Sequence, residues 1–433
     1  MQATRWANLP LFNLIGRKRP SQQGGHMRKI FALVLSLALA LSLFGAVAQA
    51  EGFSGEVKIW VADAMVDLTH AKVEEFKAAN PQYAGLTALI EAVGEGDSAT
   101  NMITDVEGGA DIFAFAQDQL ARLVAAGALV ELSEENAALV AEQNDAGSVA
   151  AVTLGGLVYA YPMTSDNGYF LNYDKSVITD PSTLEGVLAQ AEAAGKSVYF
   201  EINSGWYQTA FFFGTGATVT YDVDDAGNLV KANINYASPE GLAALKGMIA
   251  LAKSPAFVNG SSADNATNYA AIVVGTWARE TLSKAFGDNY AATKLPTFEV
   301  DGTAYQLSGF GGFKMLGVKP QVDEAKLAAC DALALYLTGE EVQAARFEQS
   351  GWGPSNLNVQ QSEAVKADFV LSALAEQLQH TMGQGQYPGD YWSTATGLGD
   401  DVIAGKLNDL TDEQLMERLT QFQDILIGLA NPQ

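Results

Sequence analysis

Aromatic residues placed beside polar ones are the residues of this chain whose types and spacing could do chemistry. Trp206 and Tyr207 follow a short polar stretch, Trp277 follows a Gly-Thr pair, and Tyr391 and Trp392 follow Pro-Gly-Asp. Core aromatics usually sit within apolar runs, and these do not. Flat rings near carboxylates and amides bind ligands with apolar faces and hydroxyl edges, which means sugars, and they also bind cations. The pattern therefore predicts a binding cleft.

Residues typical of catalytic or metal sites are few. After residue 50 the chain has two histidines, His70 and His380, far apart and without a neighbouring Cys or His. No nucleophile elbow, phosphate-binding loop or zinc-protease motif is present. Asp222, Asp224 and Asn228 match the start of a calcium loop, but no glutamate closes it, so a hairpin turn is the better interpretation. We expect no catalytic residue, no metal and no cofactor.

The charge of the chain excludes several partners. It carries 25 basic and 50 acidic residues, and because residues 1–50 hold six basic and no acidic residues, its formal charge changes from −25 to −31 without them. A field of that sign repels nucleic-acid phosphates and anionic lipid surfaces. The single cysteine, Cys330, cannot form an intramolecular disulfide, and its apolar helical surroundings indicate a packing role.

A secretory signal peptide is predicted over residues 27–50. The basic start at Met27 leads into the apolar run Ile30–Phe44, and small residues precede a cleavage site after Ala50. Residues 1–26 would then be a non-native or mis-assigned extension. No cysteine follows the cleavage site, so we expect an exported protein without a lipid anchor, either periplasmic or extracellular.

The elements that must position the aromatic residues alternate between strands and helices. Strands are predicted at Glu56–Val61, Leu86–Val93 and Asp111–Ala116, with helices at Asp67–Ala79 and Asp97–Val106 between them. This alternation is typical of a parallel α/β sheet.

A second α/β region follows from about Val158 to Leu307. The polar segment Thr164–Gly168 is a candidate crossing between two lobes, and the glycine-rich run Leu307–Lys314 suits a second crossing. Capping boxes predict helix starts at Thr338 and Thr411. The economical architecture is therefore two α/β lobes between which the chain crosses more than once.

The chain resembles the extracellular solute-binding proteins of carbohydrate ABC transporters, most of all maltose/maltodextrin-binding proteins. The resemblance covers nearly all of Gly55–Leu429, and its stretches keep a shared order. These stretches are Val57–Trp60, Glu74–Lys77, Gly109–Asp118, Gly156–Pro162, Asn172–Lys175, Val274–Trp277, Tyr336–Glu340 and Gly353–Asn356. The resemblance implies a two-lobed periplasmic-binding-protein fold with a hinge and an interlobe cleft. Residues 51–163 and 312–356 would form the N-terminal lobe, and 164–311 and 357–433 the C-terminal lobe.

The resemblance also implies individual site residues. The family's stacking aromatics and sugar-binding acids fall on Phe115, Asp118, Asp166, Trp206, Trp277 and Trp392, while Gln119 stands where a basic residue is expected. Other polar positions depart from the family pattern, around Ser204, near Thr396 and near Ala64-Met65. The stacking platform is kept and much of the polar rim is not.

The function implied is capture of an oligosaccharide, first of all a malto-oligosaccharide, and its delivery by cleft closure to the permease subunits of an ABC transporter. We expect a monomeric binding protein rather than an enzyme. Three alternatives stay open at this point: a binding protein for a polyamine or another non-sugar solute, a secreted glycosidase using two carboxylates, and a sensor that shares the same cleft.

Overall fold

The structure, a computed structural model, describes residues 52–264 and 268–430. The predicted extension at residues 1–26, the signal peptide at 27–50 and the cleavage after Ala50 lie outside these ranges and stay predictions. Within them, no helix is both long enough and apolar enough to cross a membrane.

The first sheet has five strands, and its fourth position is filled by a late part of the chain. Its order is Leu86–Ala92, Gly55–Val61, Ile112–Ala116, Lys314–Val318 and Ala160–Thr164. The first three strands are parallel, as predicted. Lys314–Val318 runs antiparallel to both of its neighbours, which the expectation of a parallel sheet missed. Because Ile112–Ala116 is covered on both faces, all five of its residues are buried.

The helices around this sheet complete the first hydrophobic core. The predicted helices near Asp67 and Asp97 are confirmed, with small shifts at their ends. The helices are Val66–Ala79, Glu95–Thr104, Leu120–Ala125, Glu134–Gln143, Ala146–Ala151, Glu324–Leu337 and Glu340–Ser350.

Two local predictions in this part have opposite outcomes. Cys330 is wholly buried in the first core, so its predicted packing role is confirmed. The capping box at Thr338 is wrong, because the helix Glu340–Ser350 has Gly339 as its N-cap. Thr338 instead ends the preceding helix, and its hydroxyl donates to the Ala334 carbonyl at 2.8 Å.

The second sheet also has five strands. Its order is Phe257–Val258, Ser197–Tyr199, Tyr269–Val274, Phe170–Asp174 and Tyr290–Thr293. The first three are parallel, and Phe170–Asp174 is antiparallel to both of its neighbours. Both sheets thus combine parallel strands with one inserted antiparallel strand.

Helices and short hairpins enclose the second sheet and build a core rich in tyrosine and phenylalanine. The predicted hairpin is confirmed as Val219–Val223 paired with Leu229–Ile234, and the capping box at Thr411 is confirmed. The helices are Leu184–Ala193, Thr209–Thr215, Pro239–Ala252, Arg279–Phe286, Leu357–Gln360, Glu363–Lys366, Phe369–Leu378, Tyr391–Ile403 and Asp412–Gly428.

Three chain segments between the two sheets lie side by side. The Asn167 amide donates to the Gly312 carbonyl at 3.0 Å, and the Ser165 amide donates to the Gly353 carbonyl, also at 3.0 Å. The strand limits on either side place residues 165–169 and the region near 312 between the sheets. The exact lobe limits given above stay a prediction. The hydrogen-bonded segments form the junction between the two sheets, and the candidate site lies at this junction.

Candidate ligand-binding cleft

Three of the predicted aromatic residues present partly exposed rings where the two cores meet. Trp206 and Trp277 approach to 5.9 Å between ring centroids, with ring planes tilted by 44°. Trp392 lies 5.4 Å from the ring of Tyr387, on the edge of the second core. Trp277 packs against both the first core and the smaller cluster beside the second sheet. These rings retain surface that a ligand could cover.

Local chain geometry explains how Trp277 reaches this position. It lies in a short 3-10 turn directly after the wholly buried strand Tyr269–Val274. A Cβ atom at Gly275 would come within 2.1 Å of the Trp277 ring and 2.5 Å of the Gly168 carbonyl oxygen. A glycine is therefore required at this point of the Gly-Thr-Trp stretch.

Trp206 is held by one hydrogen bond to a distant residue and one from the turn that follows it. Its indole Nε1 donates to Gln384 Oε1 at 3.2 Å, and its carbonyl accepts from Thr209 Oγ1 at 2.6 Å. Its ring meets the Tyr169 ring edge-on, at 4.6 Å between centroids. The indole is thus fixed in orientation before any ligand contacts it.

The other three predicted aromatics lie in the cores, which corrects the expectation that their rings face a ligand. Phe115 is wholly buried and packs 5.6 Å from Phe113, because the strand that carries it is the centre of the first sheet. Tyr207 and Tyr391 are buried in the second core, where Tyr207 packs 4.8 Å from Tyr169. None of these three rings offers a face to the cleft in this structure.

Asp118 and Gln119 place buried oxygens just beyond the end of the central strand of the first sheet. Both belong to the turn that follows Ile112–Ala116, and the Asp118 Oδ1 and Gln119 Oε1 atoms have no hydrogen-bond partner among the described residues. The Gln119 Nε2 donates to the Gly96 carbonyl at 3.0 Å. Burial raises the pKa of the Asp118 carboxyl to about 7, against the opposing charge of Arg122. A ligand offering hydrogen-bond donors would satisfy these oxygens.

Asp166 joins the two sides of the junction. Its Oδ2 accepts from Thr276 Oγ1 at 2.6 Å and from the Gly353 amide at 2.7 Å, whereas its buried Oδ1 has no partner in the described ranges. The nearby Arg346 guanidinium has its pKa lowered to about 10 by burial, with the carboxylates of Asp166 and Glu95 opposing that shift. Asp166 therefore has a structural role through one oxygen and a free acceptor in the other.

Glutamines that the sequence reasoning did not single out connect the two sides. Gln117 Nε2 donates to the Gln384 carbonyl, and its Oε1 accepts from the Phe313 amide at 2.8 Å. Gln386 Nε2 donates to the Gln117 carbonyl and its Oε1 accepts from the Ala121 amide, both at 2.8 Å. The alternation of glutamine and glycine at residues 383–386 was the signal available in the sequence. These contacts bring both sides of the cleft into direct hydrogen bonding.

The residues described include no group of three or more His, Cys, Asp or Glu side chains arranged to hold a metal ion. The arrangement can therefore bind through stacking faces on one side and hydrogen-bond acceptors on the other, with tryptophans as the largest contact surfaces.

Comparisons with known proteins bear on the family and the fold. The family model described as bacterial extracellular solute-binding protein matches residues 71–373. A solved structure with acarbose is 26% identical over 87% of this chain and 99% of its own, with a TM-score of 0.76. The maltodextrin-binding protein MalE1 of L. casei BL23 is 22% identical over 88% of this chain and 100% of its own, with a TM-score of 0.71. The GacH receptor of Streptomyces glaucescens is 17% identical over 87% and 99%, with a TM-score of 0.72.

No curated protein sequence matches the chain. The two structural likenesses below 25% identity establish the fold, which is the predicted two-lobed arrangement. The family model covers well over half of the chain. The chain belongs to the bacterial extracellular solute-binding proteins.

Proposed function

We propose that this protein binds a neutral oligosaccharide, with malto-oligosaccharides first among them, in the cleft between its two sheets. The observation that carries the proposal is the pairing of two partly exposed indoles, Trp206 and Trp277, with buried oxygens of Asp118, Gln119 and Asp166 that have no donor among the described residues. Rings suit the apolar faces of pyranoses, and free acceptors suit their hydroxyls.

Similar proteins support the choice of ligand class. The structures named above are those of a maltodextrin-binding protein and of proteins with acarbose. Another with the same fold is a cyclo/maltodextrin-binding protein complexed with maltotetraose, 23% identical over 87% of this chain. An α-glucan or a compound of similar shape is therefore the first ligand to test.

The protein would act as the exported, monomeric receptor of an ABC transporter. Ligand that touches both sides of the cleft stabilises the closed state only to the extent that it binds that state better than the open one. The closed complex would then dock on the permease subunits and release the sugar. Export to the periplasm or the cell exterior, with cleavage after Ala50, belongs to the same proposal.

A cationic solute such as a polyamine is the second candidate. The free Asp118 and Asp166 oxygens favour it, since carboxylates accept from ammonium groups as well as from hydroxyls.

The decisive experiment is titration of the mature protein with maltose, maltotriose, maltotetraose, acarbose, spermidine and putrescine. Tryptophan fluorescence and calorimetry would follow binding. Saturable binding of an α-glucan near micromolar Kd, about −8 kcal/mol, supports the proposal. Binding of the polyamines alone would replace it with the second candidate, and turnover of a glycoside would show an enzyme instead.

A further inference from the structure

A lysine that no sequence pattern singled out lies at the base of the cleft. Lys314 is the first residue of the strand Lys314–Val318 and is only 4% exposed. Its Nζ lies 3.9 Å from the centroid of the Trp352 ring and 5.0 Å from that of Trp277. Both distances are within the range of cation–π attraction. Two indoles, one from each side of the junction, therefore hold this ammonium group in place.

The ammonium of Lys314 keeps its hydrogen-bonding capacity. An ammonium group has three N–H donors, and Lys314 Nζ makes no hydrogen bond and no ion pair with any residue in 52–264 or 268–430. Ring contacts offset part of the cost of burying a charge, but they leave those donors unused. The Nζ atom itself is not fully enclosed by the described residues, so its donors are open to water or to a ligand acceptor.

Two residues linked to this lysine carry acceptors without a partner among the described residues. Trp277 and Trp352 are the chain neighbours of Thr276 and Gly353, the two residues whose groups donate to Asp166 Oδ2. Asp166 Oδ1 is buried and without a partner among the described residues. Thr164, which pairs with Lys314 in the sheet, has a buried hydroxyl that also lacks a hydrogen-bond partner among the described residues. Unused donors and unused acceptors thus lie on residues that are joined through the same two rings and the same strand pair.

We propose that Lys314 is a ligand-binding residue that, together with Asp166, binds adjacent hydroxyl groups of the sugar at the base of the cleft. This inference rests on the proposed function. One hydroxyl donates to Asp166 Oδ1, and the Lys314 ammonium donates to an oxygen of the same ligand. The excess of acidic residues in the chain disfavours an anionic sugar at this place.

The cation–π contacts also bear on the rival ligand class. The Trp277 ring already has a cation against it, so an incoming ammonium group near that ring would meet the charge of Lys314. A neutral ligand meets no such repulsion. The base of the cleft therefore favours hydroxyl groups.

The test compares Lys314→Met with unmodified protein, using maltotetraose as the probe in calorimetry. Methionine keeps the length of the side chain and its contacts with the rings but removes the charge and the donors. We expect Kd to rise at least tenfold while the thermal midpoint of unfolding holds or rises, because an unpaired buried charge is removed. Lys284→Met, which removes an exposed lysine of the helix Arg279–Phe286, is the matched control and should leave Kd unchanged.

Three outcomes of these binding measurements would overturn the inference. A Kd for Lys314→Met within twofold of the unmodified protein overturns it while leaving the proposed function standing; failure of the unmodified protein to bind any glycan overturns both. The aldonic acid made by oxidising maltotetraose tests the anionic alternative. If it binds more than tenfold tighter than maltotetraose, and Lys314→Met abolishes that gain, Lys314 is an anion site instead.

If Lys314→Met does not fold, a crystal structure of the unmodified protein with maltotetraose decides the matter. A Lys314 Nζ within about 3.2 Å of a ligand hydroxyl oxygen supports the inference, and a closest ligand oxygen beyond about 4 Å overturns it.

Discussion

The two sides of the cleft supply different chemistry. The side built on the first sheet contributes buried oxygens, from Asp118 and Gln119, and hides its aromatic Phe115 in the core. The side built on the second sheet contributes partly exposed rings, chiefly Trp206 and Trp277. Neither side alone offers both a stacking face and acceptors for hydroxyl groups. A ligand that needs both binds well only when the two sides approach each other, which is the condition for closure driven by ligand.

The largest expected effect tests whether Phe115 belongs to the first core or to the cleft. Phe115→Ala should lower the free energy of unfolding by about 3–5 kcal/mol, since it leaves a cavity in a closely packed sheet. Chemical denaturation measures this, and calorimetry of the folded variant should give a nearly unchanged affinity. Phe113→Ala, a buried neighbour, should behave in the same way. Lost affinity with unchanged stability would place Phe115 in the cleft after all.

A smaller effect is expected in the pH dependence of stability, which tests Asp118 on the side built on the first sheet. Burial raises the pKa of Asp118 to about 7, so the folded protein holds this proton more tightly than the unfolded chain does. Because of this group, the free energy of unfolding falls as pH rises from about 4 to 7, by about 1.4 kcal/mol per pH unit. Asp118→Asn should gain about 2 kcal/mol over the unmodified protein between pH 5 and pH 7.5. A stability difference that is constant with pH would contradict the shifted pKa.

Stacking on the aromatic side is tested by Trp277→Ala. Loss of an indole that contacts the ligand should weaken binding by about 1 kcal/mol or more, roughly fivefold in Kd. Trp277→Phe keeps a smaller ring and should lose less. Calorimetry with the best glycan ligand measures both variants. Equal affinity for all three proteins would remove Trp277 from the site.

The smallest expected effect concerns the glutamines that join the two sides. Gln386→Ala removes two hydrogen bonds across the cleft and should weaken glycan binding by less than about 1 kcal/mol. The effect is small because, when the cleft opens, each of these hydrogen bonds is replaced by one to water. Small-angle scattering should show a larger average radius without ligand. Gln379→Ala, an exposed residue at a helix end, is the control. An unchanged radius would mean that these bonds do not hold the sides together.

Much of the fold could be predicted from periodicity, because strands such as Gly55–Val61 and helices such as Pro239–Ala252 carry their patterns locally. The site was harder to predict. The resemblance leads to the stretch that holds Phe115, but the burial of its ring depends on the first core, which includes strand Lys314–Val318 from a distant part of the chain. Cleft rings and core rings look alike in sequence, as the neighbours Trp206 and Tyr207 show.

Lys314 illustrates the opposite difficulty. A lysine between Phe313 and Met315 indicates a solvent-exposed position in an apolar strand, since lysines are rarely buried. Its burial depends on Trp277 and Trp352, which come from different elements on either side of the junction. Only tertiary structure brings those rings to it, so no local pattern could have identified it.

The interior place of Lys314–Val318 in the first sheet also bears on how the protein folds. Its two neighbours, Ile112–Ala116 and Ala160–Thr164, are synthesised long before it and do not pair with each other in the finished sheet. The first sheet therefore stays split until the later strand is inserted between them. Contacts so distant in sequence make folding slow. The first sheet, and the core packed on it, therefore cannot be completed until residue 318 has been synthesised.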